Sequence, residues 1–165
     1  MTDQSAAEET GAGYTGLAER FPDAAFSQSY GQTVCRVPRD RLVEFATAAV
    51  AEGFSMFVDL CAVDYLHRDP RFEVVVNLAS LDPPRRLRIL VGVPGDDPTA
   101  PSITGVLPGA NFYEREAFDL FGIEFSGHPD LTRILLPDDW VGHPLRKDAP
   151  VGSVPVQFKE ANTAS

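Results

Sequence analysis

Three runs in which every second residue is apolar constrain the fold of this chain more than any other feature. Phe54, Met56, Val58, Leu60 and Ala62 form the first, Phe72, Val74, Val76 and Leu78 the second, and Leu87, Ile89, Val91 and Val93 the third. A period of two belongs to a strand with one buried face, so the three sets are predicted to face a common core. The connections 67–71 and 82–85 hold Asp69-Pro70 and Pro83-Pro84 and are too short for helical crossovers, which predicts antiparallel hairpins. Upstream, a short strand is expected at Thr33 to Val37. Pro38 and Asp40 suit a first helical turn, after which Leu42, Phe45, Ala46, Ala49 and Val50 recur at helical spacing until Gly53. One apolar stripe on that helix requires a sheet beneath it. The expected class is therefore α+β: a two-layer domain with a mixed, mainly antiparallel sheet, helices on one face, and a long irregular segment after it.

The 165 residues fit one domain, long enough to bury roughly 70% of the unfolded surface without staples. Residues 1–30 lack sustained periodicity and are expected as an N-terminal tail, its first dozen disordered and the rest loosely helical or irregular. The domain is expected over 31–150 and a C-terminal tail over 151–165. Cys35 and Cys61 stand far apart in no CxxC pattern, so they are expected as buried thiols and not as an iron-sulphur or disulfide pair. The longest apolar run, near Phe54 to Val63, is broken by Asp59, so no segment spans a bilayer and any membrane link is expected to be indirect. Met1 to Glu9 is acidic, the reverse of a targeting sequence, which places the expected site of action in the compartment of synthesis. With 14 basic and 24 acidic residues the net charge is −10, which disfavours nonspecific nucleic-acid or anionic-lipid binding. Arg85, Arg86 and Arg88 are the local exception, and Arg86 and Arg88 should share the solvent face of a strand.

Between sheet and motif, Pro94, Pro98, Pro101 and Pro108 frame a hinge with one short helix expected near Ser102 to Leu107. From Asn111 to Pro150, charge, aromatic rings and two Gly-His-Pro triplets are unusually dense. Asn111 is expected as N-cap with Glu114 reaching back as a capping box, and Gly122 as the left-handed stop. Winding 112–121 puts Tyr113, Ala117, Leu120 and Phe121 on one side with Phe118 at its edge. Arg115, Glu116 and Asp119 share the other, where Arg115 and Asp119 can pair. Glu114 falls inside the apolar arc, where a carboxylate needs a cap bond, a cation, or both. Arg133, Arg146 and Lys147 are the cations at hand. Each follows a triplet, Gly127-His128-Pro129 or Gly142-His143-Pro144, whose proline and glycine fix a bend. After Gly122 one short strand is expected at Arg133 to Leu136, with Phe125, Leu131, Ile134, Leu135, Leu136 and Trp140 as anchors.

The ordered run Glu114-Arg115-Glu116, Asp119-Leu120-Phe121-Gly122-Ile123, Gly127-His128-Pro129-Asp130-Leu131, Arg133-Ile134-Leu135 and Gly142-His143-Pro144-Leu145-Arg146-Lys147-Asp148 resembles the signature of the 30 kDa subunit of respiratory complex I. The region from about Pro38 to Val93 resembles that family's sheet more weakly. Phe112 stands where the family often has tryptophan, and the chain stops soon after the motif. The resemblance implies a scaffold subunit in the hydrophilic arm of a proton-translocating NADH:quinone oxidoreductase. It implies no cofactor on this chain, the NADH, FMN, iron-sulphur clusters and quinone being held by partner subunits. The implied partners are the iron-sulphur subunit that holds the terminal cluster and the larger subunit of the quinone pocket, at the cytoplasmic side of the cell membrane and without direct insertion. The motif residues Glu114, Arg115, Glu116, Asp119, His128, Pro129, Asp130, Arg133, Trp140, His143, Arg146, Lys147 and Asp148 are the expected interface.

Other chemistries compete for these residues. Glu116 and Asp119 could serve a stand-alone hydrolase, though carboxylates on one helical turn more often cap, pair or face solvent. His128 and His143 with a nearby aspartate could hold a metal, yet they sit in no recognised ligand spacing. No nucleophile setting and no nucleotide-binding glycine pattern is present. The equivalent subunit of an energy-converting hydrogenase stays open on the same motif. Arginine, tryptophan and histidine on a proline-restricted loop fit a partner surface best, while Arg133 and Arg146 could instead tie the loop to Glu114 or Glu116.

Overall fold

The computed structural model describes residues 14–150. Its main sheet has five strands: β1 (Ala25–Ser29), β2 (Gln32–Arg36), β3 (Met56–Asp64), β4 (Phe72–Leu81) and β5 (Pro84–Val93), in the order β1-β2-β5-β4-β3. All neighbours run antiparallel except β2 and β5, which are parallel. Helices α1 (Thr15–Arg20) and α2 (Leu42–Ala51) supply the second layer, a 3-10 turn at Arg39–Arg41 leading into α2. The expected α+β, mainly antiparallel class is what the chain adopts.

The alternation works as predicted in β4 and β5. Phe72, Val74, Val76, Leu78, Leu87, Ile89, Val91 and Val93 are each at most 1% exposed and meet Leu42, Phe45, Ala46 and Ala49 of α2 in one core. Burying each large side chain contributes about 1.5–3 kcal/mol. In β3 the single-phase reading fails, because the register shifts between Phe57 and Asp59. Such a bulge inserts one residue and reverses the facing of those before it. Leu60 stays inward, but Met56 and Val58 turn out to solvent and Phe57 turns in, opposite Leu78.

The folded unit begins earlier than residue 31. Residues 15–20, expected as loose or irregular, form α1, whose Leu17 is buried together with Phe21 just beyond it. Phe21 packs edge-on against Phe45 at 4.9 Å. β1 pairs with β2 over its whole length. The expected disorder of the first dozen residues and the C-terminal tail at 151–165 lie outside the described residues. Cys35 is buried, and burial pushes its thiol up to about 12. Cys61, expected to be buried too, is exposed on the sheet face away from the helices.

The 94–108 hinge contributes a strand as well as a turn. β6 (Thr99–Pro101) pairs in parallel with β7 (Glu124–Ser126), while the expected helix at Ser102 to Leu107 shrinks to one turn closed by the Val106 and Leu107 amides on the Ile103 carbonyl. β7 thus replaces the strand expected at Arg133 to Leu136. Between them α3 (Ala110–Phe121) lies against β3, Tyr113 meeting Phe57 edge-on at 5.3 Å.

Candidate functional site: the C-terminal end of α3 and the loop that wraps it

A helix ends with carbonyls that lack intrahelical partners and with a partial negative charge. In α3 the loop from Gly127 to Pro150 supplies the donors. The Asp119 carbonyl accepts from Arg133 Nη1 (3.3 Å) and His143 Nδ1 (3.0 Å), and the Leu120 carbonyl from the Leu145 amide (3.1 Å). Arg146 donates Nε to the Phe121 carbonyl (2.6 Å) and Nη2 to that of Gly122 (3.3 Å), with its guanidinium 5.4 Å from the Phe72 ring centroid. Two arginines therefore sit where the helix dipole favours cations, each such placement stabilising by about 0.3–2 kcal/mol.

Gly122 makes this crowding possible. Its φ is +69°, left-handed as predicted, and a Cβ there would lie 2.5 Å from the His143 ring and 2.6 Å from Arg146 Nη2. Gly122→Ala meets both penalties and should lower stability by about 2 kcal/mol or more, read as a reduced midpoint in urea unfolding with unchanged slope. A loss below about 0.5 kcal/mol would show that the loop moves aside freely.

A helical wheel places Asp119 on the polar side of α3, but the loop closes over it and leaves it fully buried. Its Oδ1 accepts Arg133 Nη1 at 2.6 Å, and its Oδ2 accepts the amides of Ile134 (3.0 Å), Leu135 (2.8 Å) and Leu136 (2.9 Å). Burial pushes this carboxyl up, yet the amides of Leu136 and Leu135, the Arg133 guanidinium and the Ile134 amide outweigh it and hold the group at about 2. Residues 133–136 are thus an anion-binding bend, not a strand. Arg133 also donates Nη2 to the carbonyls of Trp140 (3.1 Å) and Gly142 (3.2 Å). Arg115 does not pair with Asp119. It reaches across to the Thr132 carbonyl, the Thr132 hydroxyl and the Arg133 carbonyl at 3.0–3.1 Å.

Glu114 is fully buried, as its place in the apolar arc required, but the capping box does not form. The helix starts at Ala110 with Gly109 as its cap, and Glu114 Oε1 instead accepts the Ile103 amide at 2.8 Å, tying α3 to the turn after β6. Oε2 meets no donor in hydrogen-bonding geometry. Burial pushes this carboxyl up, and the Ile103 amide, the Ser102 hydroxyl and His128 pull it only part of the way back. Neither Arg133 nor Arg146 reaches Glu114 or Glu116, so the expected internal tie exists with Asp119 and the helix carbonyls as its acceptors. Glu116 is exposed.

The two triplets do separate work. His128 Nδ1 accepts the Asp130 amide (3.0 Å), which leaves Nε2–H to donate to the Asn111 carbonyl (3.2 Å). His143 bonds the Asp119 carbonyl eight residues further along α3, about 12 Å away at 1.5 Å per residue. The imidazoles thus sit toward opposite ends of the helix, and among the described residues no three His, Cys, Asp or Glu side chains gather as a metal site. Pro129 and Asp130 are exposed, and Trp140 is half-buried.

A second anchor is absent from the sequence reading. Asp64, fully buried at the end of β3, receives Arg71 Nε (2.9 Å) and Nη2 (2.8 Å), the Leu66 amide (2.8 Å) and the Lys147 amide (2.8 Å). Arg71 then bridges to both oxygens of Asp148 at 2.8 and 3.0 Å. Hydrogen bonding from Arg71 leads the forces that hold the Asp64 carboxyl well below the usual range, and it lowers Asp148 likewise. Lys147 contributes its backbone here, while its side chain is exposed. One signal was available: Asp64 has the same parity as Leu60 and Ala62 and so had to point inward.

Pinned on the inside, the loop turns apolar groups outward. Leu135 is 60% exposed, Val141 94% and Leu145 50%, and Ile134 is exposed as well. Of the expected anchors only Phe125 is fully buried, with Leu131, Leu136 and Trp140 partly so.

Residues 35–154 match the family described as respiratory-chain NADH dehydrogenase, 30 Kd subunit. The chain is 56% identical over 147 residues to the C subunit of the NADH-quinone oxidoreductase of Roseiflexus sp. (strain RS-1), covering 86% of this chain and 84% of that protein. To the corresponding NADH-quinone oxidoreductase protein of Herpetosiphon aurantiacus it is 45% identical over 145 residues, covering 86% and 85%. Among solved structures it resembles a trypsin-resistant fragment (1-134) of Nqo5, with 38% identity and a TM-score of 0.65 over 71% of this chain and 97% of the fragment. A chain of the membrane-bound sulfane sulfur reductase, an archaeal respiratory membrane complex, shares the fold at 22% identity and a TM-score of 0.75, covering 92% of this chain and 95% of that one. Built on this sheet and carrying this loop, the chain belongs to the 30 kDa subunit family of respiratory-chain NADH dehydrogenase.

Proposed function

We propose that the chain is a non-catalytic platform in the peripheral arm of a proton-translocating NADH:quinone oxidoreductase. It supports electron transfer from NADH through iron-sulphur clusters to quinone and binds none of those cofactors itself. The observation that carries this reading is the loop's two-sidedness: Asp119 and Asp64 lock its backbone from within, while Leu135, Val141 and Leu145 face out. A preordered loop loses little conformational entropy on docking, and exposed apolar side chains on it gain when covered. The expected cover is the iron-sulphur subunit with the terminal cluster together with the larger quinone-pocket subunit, on the cytoplasmic side of the membrane. No helix among the described residues is long and apolar enough to cross a bilayer.

The geometry withdraws Asp119 from the hydrolase reading and leaves it the exposed Glu116 alone. All the donors around Asp119 are already engaged with a carboxylate held at about 2, which makes a poor base with no path to solvent. Affinity purification of the tagged chain from native membranes tests the proposal. Co-purifying iron-sulphur subunits with NADH-dependent quinone reduction are expected. Nickel-iron hydrogenase activity in their place, or a solitary chain, would overturn it.

A further inference from the structure

The sheet has a second surface, apart from the loop. On the face opposite the helices, Met56, Ala79 and Arg86 form one cross-strand row, and Asp59, Asn77, Arg88 and Val34 the next. A trough of about 880 Å³ crosses this end of the sheet. Apart from Tyr14, its described lining belongs to the five strands and the turn between β1 and β2, so no described helix lies in it. The exposed Met56, Val58 and Leu81 give it apolar ground. Its charge is opposite in sign to that of the chain: among the described lining residues Arg85, Arg86 and Arg88 are basic and Asp59 alone is acidic, against a net charge of −10. Arg88 donates Nε to Asn77 Oδ1 (3.2 Å), and Asn77 in turn donates to Asp59 Oδ1 (2.7 Å). Among the described residues neither Arg86 nor Arg88 has an ion pair with a carboxylate. At one end Gly31 brings the β1–β2 turn into the lining, and its neighbour Tyr30 stands fully exposed at φ +50°, a left-handed setting that hairpin turns ordinarily give to asparagine or glycine.

We propose that an acidic amphipathic helix of a partner subunit packs along this trough, its apolar stripe on Met56, Val58 and Leu81 and two of its carboxylates, one turn apart, on Arg86 and Arg88. The inference rests on the reading of the chain as a platform within a larger complex, and it adds a second docking surface to that of the loop. Charge complementarity selects the sign of the partner, because a domain that elsewhere repels carboxylates presents here two arginines without any. Spacing and layering select a helix. Arg86 and Arg88 stand two residues apart on one strand face, about 6.6 Å, and carboxylates three or four positions apart on a helix stand about 5–6 Å apart, a difference that a long arginine side chain spans. A sheet with helices on one face and apolar ground on the other completes its layers by taking a helix there. Tyr30 closes the end of the trough with a ring of the kind enriched at interfaces. A second copy of the chain fits less well, since it brings the same net charge of −10.

The test uses the full chain within its native complex, with the photo-reactive p-benzoylphenylalanine in place of Met56. Illumination followed by mass spectrometry reads which peptide is captured. The expected adduct lies on one partner subunit, in a segment with apolar residues at helical spacing and at least two Asp or Glu side chains three or four positions apart. Its yield should fall severalfold with Arg86→Glu and Arg88→Glu, and return when those two partner carboxylates are replaced by lysine. Arg86→Gln with Arg88→Gln removes the charge more gently and should show the same fall if the reversed pair assembles poorly. NADH-dependent quinone reduction by the same preparation reports separately on the platform reading. An active complex whose adduct falls on a segment without paired carboxylates, on a lipid, on a second copy of the chain or on the chain itself overturns the proposal and leaves the platform standing. So does an active complex that gives no adduct, or one whose yield is indifferent to both arginine pairs. A chain recovered alone overturns both.

Discussion

Asp119→Asn is expected to destabilise the domain by about 3 kcal/mol at neutral pH, the range for stranding one member of a buried ion pair. Asparagine fills the same volume, so packing is kept. It offers one carbonyl oxygen to three loop amides, and its NH2 faces either those amides or the Arg133 guanidinium, all of them donors. The pH dependence identifies the cause. An ordinary aspartate titrates near 3.8 and Asp119 is held at about 2, so the folded state binds its proton more weakly than the unfolded one. The stabilisation is present in full above about pH 4 and is lost as pH falls through 4 toward 2. At about 1.4 kcal/mol per unit this is roughly 2–3 kcal/mol, close to the loss expected for the variant. Urea unfolding of both chains from pH 7 downward should therefore show the gap closing in acid. A gap that stays constant would place the effect in packing and not in charge.

What could be read from the residues follows from how local the cause was. β4, β5 and α2 were legible because each buries one regular face against the other, and Gly122 because its conformation is a local demand. The bulge in β3 was not, since every second residue from Phe54 to Ala62 is apolar and Phe57, the large side chain out of phase, takes its meaning only from pairing with β4, which shows the inserted residue. β1 carries a single large apolar side chain, Phe26, and exists because β2 lends it a ladder. The site failed in the same way. A helical wheel puts Asp119 in solvent because it contains only the helix, whereas the burial comes from residues 14 to 17 positions downstream. Arg71 and Asp148 are 77 residues apart, beyond any local pattern. The motif was recognisable as a string, but which of its charges point inward was settled by the loop's path.

That division between inward and outward residues yields the second large effect. Leu135→Asp combined with Val141→Asp should leave the isolated domain's melting temperature within about 2 °C of the parent, because both side chains face solvent and the Leu135 contact with Asp119 is made by its backbone amide, which the substitution keeps. The amount of assembled complex recovered from membranes should fall severalfold, since two charges placed in an apolar contact must be desolvated without partners. Arg146→Ala should behave in the opposite manner. Its guanidinium serves the Phe121 and Gly122 carbonyls and packs over Phe72, so the domain's own melting temperature drops and assembly falls only as far as folding does. The two variants differ in which side of one loop they disturb. If the aspartate pair lowered melting and assembly equally, the outward residues would be part of the domain's own packing and the loop would have no separate docking face; a full complement of complex with the aspartates in place would put the partner surface elsewhere on the domain.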